Sequence, residues 1–486
     1  MEPNTNEKQH DGQTAISPTS EHSEKGPNTL EAVEAIGSGW SQDGLQLHPK
    51  PTCDPLDPLN WSSAKKHGIL AIVMWKYFLF TYATTTTVPA FPQTQERFNI
   101  SYSQVNWTVA VPALGLAIGP LFWSSLADIF GRRIIFITGT VIALVATIGT
   151  AVATSYDGYM AASLFFEHER GQKLGLWVLS IDSGLLVGPL VGGFISLVSE
   201  AWISWLTALF FATLLIAEVL FMTETLYPRR LMLMRMPAAV AHPAITDVEK
   251  VVGALSNASN AEIKRTKELT FLNVKPVPRI SHPKPWDSIT RFIWTLKYPT
   301  VWIPVFFYCF AWYWWILSII TYIPAAYVRY SPQIQGLLLL GLLLGTLFSE
   351  LLCSGRLSDR IILKLMKRND NVRVAEMRLW LAYPAALLSA SNTIVSSYIV
   401  DCYPLQSMSV ITFYSVLLNL SAFANPFFIT PWVTSSGYTK TFAVQGVITF
   451  FVSVPVFALV HWFGPRLRDR AGQPYWVNPE YDNRFN

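Results

Sequence analysis

An all-helical polytopic membrane protein is the fold class this chain predicts, on three observations. Of its 486 residues, 51% are hydrophobic and only 14% charged, where a soluble domain runs near a quarter charged. The apolar residues gather in runs of about 20, each long enough as a helix to cross a hydrocarbon core of roughly 30 Å. Lys and Arg gather in the tracts between the runs, as expected of loops on the cytosolic side.

Residues 1–66 are rich in Ser, Thr, Pro, Glu and Asn and carry no apolar periodicity, so they predict a disordered cytosolic tail. No apolar core follows a basic start, so the first span is expected to serve as the insertion signal. Apolar runs follow at about 68–92, 104–126, 133–154, 172–196, 202–222, 299–328, 333–356, 378–400, 407–432 and 440–464. Five fall in a first bundle, 67–223, and five in a second, 299–465. Between them, 224–298 carries twice as many basic as acidic residues and reads as a cytosolic loop, like the tail 466–486 with Arg466, Arg468 and Arg470.

Ten spans conflict with the charges. With the N-terminal tail inside, five crossings strand the basic central loop outside, together with Lys364, Lys367 and Arg368. One more crossing in each half, near 155–171 and 391–406, would bring every basic loop inside, so the charge map asks for twelve helices. Tyr159 to Phe166 supplies about eight apolar residues, roughly 12 Å of helix, which is a stub that has to be shielded within the bundle.

Between the second and third runs stands Ser124-Ser125-Leu126-Ala127-Asp128-Ile129-Phe130-Gly131-Arg132-Arg133, and a weaker copy, Gly355-Arg356-Leu357-Ser358-Asp359-Arg360, recurs in the second half. Gly184-x-x-x-Gly188-Pro189-x-x-Gly192-Gly193 marks the fourth run. The chain resembles the major facilitator superfamily, whose loop between helices 2 and 3 has the form Gly-x-Leu-Ala-Asp-Arg-x-Gly-Arg-Arg, and the glycine run is similar to the motif of its antiporters. Asp57-Pro58-Leu59-Asn60-Trp61-Ser62 and Phe165-Phe166-Glu167-His168-Glu169-Arg170-Gly171 resemble fungal members of the drug:proton antiporter branch. The resemblance implies a two-bundle fold, here with about 10 apparent spans instead of 12, and covers about 54–470. The chain departs from the family in lacking the Arg-x-x-Gln-Gly run of the fourth helix, as if one helix were cut from each half. An omitted exon and a genuine ten-helix protein both account for this.

Physical chemistry suggests roles for these residues. Asp128 is expected to cap helix N–H groups and meet the macrodipole, while Arg132 and Arg133 reach carboxylates or lipid phosphates. With Gly131, Gly355, Asp359 and Arg360 they form a candidate gating set; the plainer reading is that the charges simply set topology. Gly184, Gly188, Gly192 and Gly193 lie mainly on one helical face and allow close approach of a neighbour, beside a helix loosened by Pro189; general helix packing would use the same residues. Ionisable residues inside spans are candidates for function. Asp182 is the foremost candidate for a protonatable or substrate-facing group, Lys76 could face a cavity, and Glu218 and Glu350 lie near helix ends where they can snorkel or pair. Tyr82, Trp312, Tyr313 and Asn419 are further cavity candidates, the aromatics as surfaces for flat or cationic organic molecules. An aromatic belt and ordinary interhelical hydrogen bonds are the competing explanations. Asn99-Ile100-Ser101 and Asn106-Trp107-Thr108 are sequons beside the first outer loop, with Asn99 the better acceptor.

Phosphate-loop, His-Glu-x-x-His and paired-carboxylate signatures are absent, so neither an enzyme nor ATP-driven pumping is expected, nor a metal or cofactor. The four cysteines have no metal spacing, and a net charge of +4 confined to loops argues for the bilayer and against nucleic acid as partner. The expected function is that of a secondary carrier, a monomer in the plasma membrane with both termini cytosolic, exporting a small amphipathic compound such as a drug, toxin or secondary metabolite in exchange for protons. The alternatives are a proton-coupled nutrient importer and a non-transporting sensor or inactive remnant.

Overall fold

A computed structural model describes residues 57–163, 174–226, 283–349, 356–369, 374–381 and 391–476. Among these the regular secondary structure is entirely helical, with seven helices long and apolar enough to cross a membrane and two shorter apolar ones, Leu179–Ile195 and Pro332–Phe348.

The first half comprises α1 (Ser63–Thr85), a short α2 (Phe91–Phe98), α3 (Tyr102–Phe130), α4 (Arg132–Val152), α5 (Tyr156–Ser163), α6 (Leu174–Ile195) and α7 (Glu200–Phe221). Local chemistry sets the ends of these helices. Ser101 opens α3 with a capping box, its hydroxyl accepting from the Gln104 amide at 3.3 Å while Gln104 Oε1 accepts from the Ser101 amide at 2.9 Å. At the other end Gly131, at φ 100°, takes a conformation that L side chains rarely adopt, so α4 begins directly at Arg132. Pro112 and Pro120 lie within α3, and α4 turns Thr140, Thr147 and Thr150 inward with their hydroxyls donating to carbonyls of their own helix, which satisfies these three buried donors. The short α5 overlaps the expected stub at 159–163, while 164–166 lie outside the described residues; it packs Tyr159 and Ser163 against α3 and α4 and leaves Asp157, Gly158 and Ala161 exposed.

The second half begins with the amphipathic α8 (Asp287–Thr295), then α9 (Pro299–Phe307), a π-helical segment Tyr308–Tyr313, and α10 (Trp314–Ala326). There follow α11 (Pro332–Leu338), α12 (Leu340–Ser349), α13 (Arg356–Arg368), a 3₁₀ segment Ala375–Leu381, α14 (Ser391–Cys402), α15 (Ser407–Ser436), α16 (Tyr438–Ile448), a second π segment Thr449–Ser453, and α17 (Val454–Ala471). The large core here unites Tyr298, Val301, Tyr308, Leu379, Tyr398, Phe413 and Phe457 from several of these elements.

The structure refines several sequence expectations. Of the expected span at 378–400, the described residues are the end of the 3₁₀ segment, to Leu381, and α14 from Ser391. In the weaker copy of the motif, Asp359 and Arg360 lie within α13. The expected span at 299–328 is found as one crossing, Pro299–Ala326, with the π segment at its middle. Helix also runs past two expected limits, starting at Ser63 and ending at Ala471, so Arg466, Arg468 and Arg470 extend α17. Gly355 and Glu350, and most of the expected tail and central loop, lie outside the described residues.

The halves meet along two seams. Helix α3 lies along α15 for much of its length, and α6 packs on α11 and α12. Hydrogen bonds tie both ends: Tyr102 Oη donates to the Thr321 carbonyl at 3.0 Å at one end, and the Ser125 and Ser288 hydroxyls meet at 2.6 Å at the other.

Candidate functional site between the helical halves

The Gly-Arg-Arg turn is built around a carboxylate far away in sequence. Glu224, just past α7, accepts from the Arg132 amide at 3.0 Å and the Arg133 amide at 3.1 Å, and from its neighbours Thr225 and Leu226 at 2.9 and 2.8 Å. It thereby satisfies the first free N–H groups of α4 and meets the positive end of its dipole. A Cβ at Gly131 would lie 2.5 Å from Glu224 Oε2 and displace this carboxylate, in addition to the strain that φ 100° imposes on any other residue. Arg133 also donates from Nη2 to the Val219 carbonyl at 2.9 Å. Glu224 thus caps α4, and Asp128 sits buried inside the last turn of α3, one turn beyond Ser125. The Ser125 hydroxyl receives the Ser288 amide at 3.2 Å, joining the motif to the first turn of α8. Asp359 belongs to α13 without a described side chain, and Arg360 is exposed.

Gly184, Gly188 and Gly192 form the face of α6 that meets α1. A Cβ at Gly188 would stand 2.6 Å from Thr85 Oγ1 and 2.8 Å from the Tyr82 carbonyl, and Cβ atoms at Gly184 and Gly192 would strike the Phe78 and Thr86 carbonyls. The close approach lets the Thr85 hydroxyl donate to the Leu185 carbonyl at 3.0 Å across the contact. Gly193 faces the other half, where its Cβ would lie 2.5 Å from the Pro332 carbonyl, and Gly336 returns the contact against Pro189. The glycine motif therefore joins α6 to its own bundle and to the opposite one.

Lys76 does not face the seam between the halves. It is wholly buried among α1, α4 and α7, where its Nζ lies 3.4 Å from Glu218 Oε1 and donates to the Phe136 carbonyl at 2.7 Å, 4.3 Å from the centre of the Phe136 ring. Glu218 is buried just as fully, so it pairs and does not snorkel. Tyr82 too is internal to the first half, its ring against Phe78 and Phe210.

Asp182 stands at the seam, eight residues or about 12 Å into α6. Its neighbour Ile181 packs into the large core of the second half, and Leu185 and Leu186 pack with Ile320 and Leu339. Tyr308, Tyr313 and Tyr414 all lie within electrostatic reach of Asp182. The rings of Tyr308 and Tyr414 stack at 6.0 Å and 26°. Tyr313 packs against three apolar clusters at once and, like Asp182, is partly buried. The side chain of Trp312 lies outside the described residues. Asn419 donates to the Ser415 carbonyl of its own helix at 2.9 Å, whereas Asn425 reaches Ser318 Oγ at 2.9 Å and ties α15 to α10.

Two acidic groups close the corresponding end of the second half. Glu376 pairs with Arg468, Asp401 with Arg378, and Arg468 Nη1 also reaches Cys402 Sγ at 3.5 Å. Among the sequons, Asn99 is exposed in a left-handed turn after α2, and Asn106 is buried in α3.

Nothing in the sequence distinguishes Glu224, Tyr414 or Ser288 as functional, nor singles out Ser125 within its motif. Glu224 stands in a polar tract that reads as loop, and Tyr414 in an ordinary apolar run.

Comparison with known proteins agrees with this architecture. The family profile of the Major Facilitator Superfamily matches residues 73–389. Protein HOL1 of Saccharomyces cerevisiae is 23% identical, over 88% of this chain and 91% of its own length. Efflux pump radE of Floropilus chiversii is 23% identical, over 85% and 83%. Among solved structures, the proton:xylose symporter XylE aligns at a TM-score of 0.52 with 15% identity, covering 83% of this chain and 96% of that one, a likeness of fold alone. With its paired helical halves, its Gly-Arg-Arg turn and a family match over most of its length, this chain is a multi-pass membrane protein that belongs to the Major Facilitator Superfamily of transporters.

Proposed function

We propose that the chain is a secondary carrier that exports a small amphipathic organic compound in exchange for protons, with Asp182 as the protonatable group. The observation that carries this is Asp182, a partly buried carboxyl at the seam between the halves, where its neighbours Ile181 and Leu185 pack against the second half. A carboxyl held at that depth is costly to leave charged, so its protonation couples to the binding of a substrate beside it. Transport proceeds by rocking one half against the other about this site. The Tyr102–Thr321 and Ser125–Ser288 bonds close opposite ends and are broken in alternation. The name of the relative radE, an efflux pump, supports the outward direction. The Arg132 end, both termini and the stretch 224–298 face the cytosol, by the excess of Lys and Arg there, and the protein works as a monomer in the plasma membrane.

The test is dye and toxin accumulation in cells expressing the wild-type chain, D182N or D128N, compared with empty cells. The carrier predicts lower accumulation with the wild type alone, reversed by a protonophore. Equal accumulation in all four would mean a chain that does not transport, and higher accumulation with the wild type would mean an importer.

A further inference from the structure

We infer that the outer face of α8 docks on anionic phospholipid, in the leaflet at the Ser125 end of the bundle.

The first argument is the division of α8 into two faces. Ser288, Phe292 and Thr295 stand at i, i+4 and i+7 and so share one side of the helix. That side packs on both halves: Ser288 meets Ser125 of α3, the Phe292 ring lies 5.1 Å from that of Phe413 on α15, and Thr295 is buried. The other side carries Ile293 and Trp294, with Trp286 just before the helix and Leu296 just after it. Trp286 and Ile293 are each 59% exposed, Leu296 51% and Trp294 47%. Tyr475, from beyond the end of α17, adds an exposed ring whose centre lies 6.0 Å from that of Trp294. So much aromatic and aliphatic surface on one short helix is costly to leave in water.

The second argument is position. Helix α8 ends at Thr295, and the crossing Pro299–Ala326 begins four residues later. Four residues reach at most about 14 Å, and the Tyr298 amide folds back on the Thr295 carbonyl at 3.0 Å, which shortens the link. The outer face of α8 is therefore held at the level where the chain enters the bilayer. Trp and Tyr rings at that level are the composition of a membrane interface.

The third argument is charge, which selects the lipid. Lys284, Arg291 and Lys297 stand along this short segment against one acid, Asp287, whose carboxylate accepts from the Lys284 amide at 3.0 Å. A neutral lipid satisfies the rings alone. An acidic headgroup also meets the cations, each worth about five-fold in affinity near an acidic surface. Since the inner side of α8 is bonded to α3 and packed on α15, lipid held on its outer side tethers a contact between the halves to the membrane surface.

The test uses the purified full chain, cysteine-free except for I293C carrying a nitrobenzoxadiazole label, in phosphatidylcholine vesicles doped with phosphatidylcholine or phosphatidylserine that bears a doxyl quencher on its acyl chain. The serine lipid is expected to quench about five-fold or more effectively per mole than the choline lipid, and about equally in K284Q/R291Q/K297Q. With the native charges the preference is expected to fall by about half or more in about 0.5 M salt. The salt series keeps the test valid should gel filtration show that the triple variant fails to fold. Equal quenching by the two lipids, a preference indifferent to salt, or one that survives in the folded triple variant overturns the assignment. A label that neither lipid quenches means that residues 227–282 or a second copy cover this face, and overturns it as well.

Discussion

Removing one member of the Lys76–Glu218 pair should damage the protein far more than removing both. Two unit charges 3.4 Å apart attract by about 5 kcal/mol at an effective dielectric near 20. Neither side chain has any exposure through which water could replace the lost partner. E218M leaves the Lys76 ammonium with one carbonyl, that of Phe136, and the rings of Phe136 and Phe80; K76M leaves a fully buried carboxyl with the Thr140 hydroxyl as its polar neighbour. Each single variant should therefore lose about 3–5 kcal/mol, while K76M/E218M, which fills the same volume with apolar atoms, should stay within about 1 kcal/mol of the wild type. The assay is reversible unfolding in mixed dodecylmaltoside and dodecylsulfate micelles, monitored by Trp fluorescence for all four proteins. Single losses below about 1 kcal/mol, or a double variant as weak as the sum of the singles, would refute the reasoning, because the pair would then not be desolvated as the geometry requires.

The contacts carry three further expected outcomes. G188A places a Cβ 2.6 Å from Thr85 Oγ1 and should lower stability by about 1–3 kcal/mol, read as a fall in melting temperature that G446A, with open space around its Cβ, does not show. S125C/S288C in a cysteine-free background should crosslink under mild oxidation and stop transport until reductant is added, since the native hydroxyls stand 2.6 Å apart; unimpaired flux through the crosslinked protein would show that this end need not open. In a eukaryotic host, glycosidase should shift the electrophoretic mobility of the wild type and of N106Q but not of N99Q, because Asn99 is exposed and Asn106 is buried.

Short-range pattern is the part of this molecule that its sequence conveys well. Apolar runs mark spans because hydrocarbon demands them, and glycines at 184, 188 and 192 announce a close helix contact because i, i+4 and i+8 share a face. Asp182 stands out because a carboxyl in a span is expensive. Partners distant along the chain leave no such signal. Glu224 reaches Arg132 across 92 positions, and Glu218 reads as a residue near a helix end until folding sets it against Lys76. Neither π segment has a compositional mark, and an aromatic-rich stretch such as 306–315 reads as plain α-helix.

The two π segments lie against each other, and the Thr449 hydroxyl donates to the Ala311 carbonyl at 3.1 Å, serving an acceptor that a widened turn leaves short of an amide. A π turn amounts to one residue inserted into an α-helix without breaking it. Everything after the insertion is rotated by about 100° relative to an uninterrupted helix. A homologue with a regular helix at this place would therefore superpose on the chain in space only if its sequence were shifted by one position beyond Tyr313. An ungapped alignment through 314–326 would match lipid-facing residues of one protein with interior residues of the other. Roles transferred between relatives along this helix hold only when the gap is placed inside the membrane span.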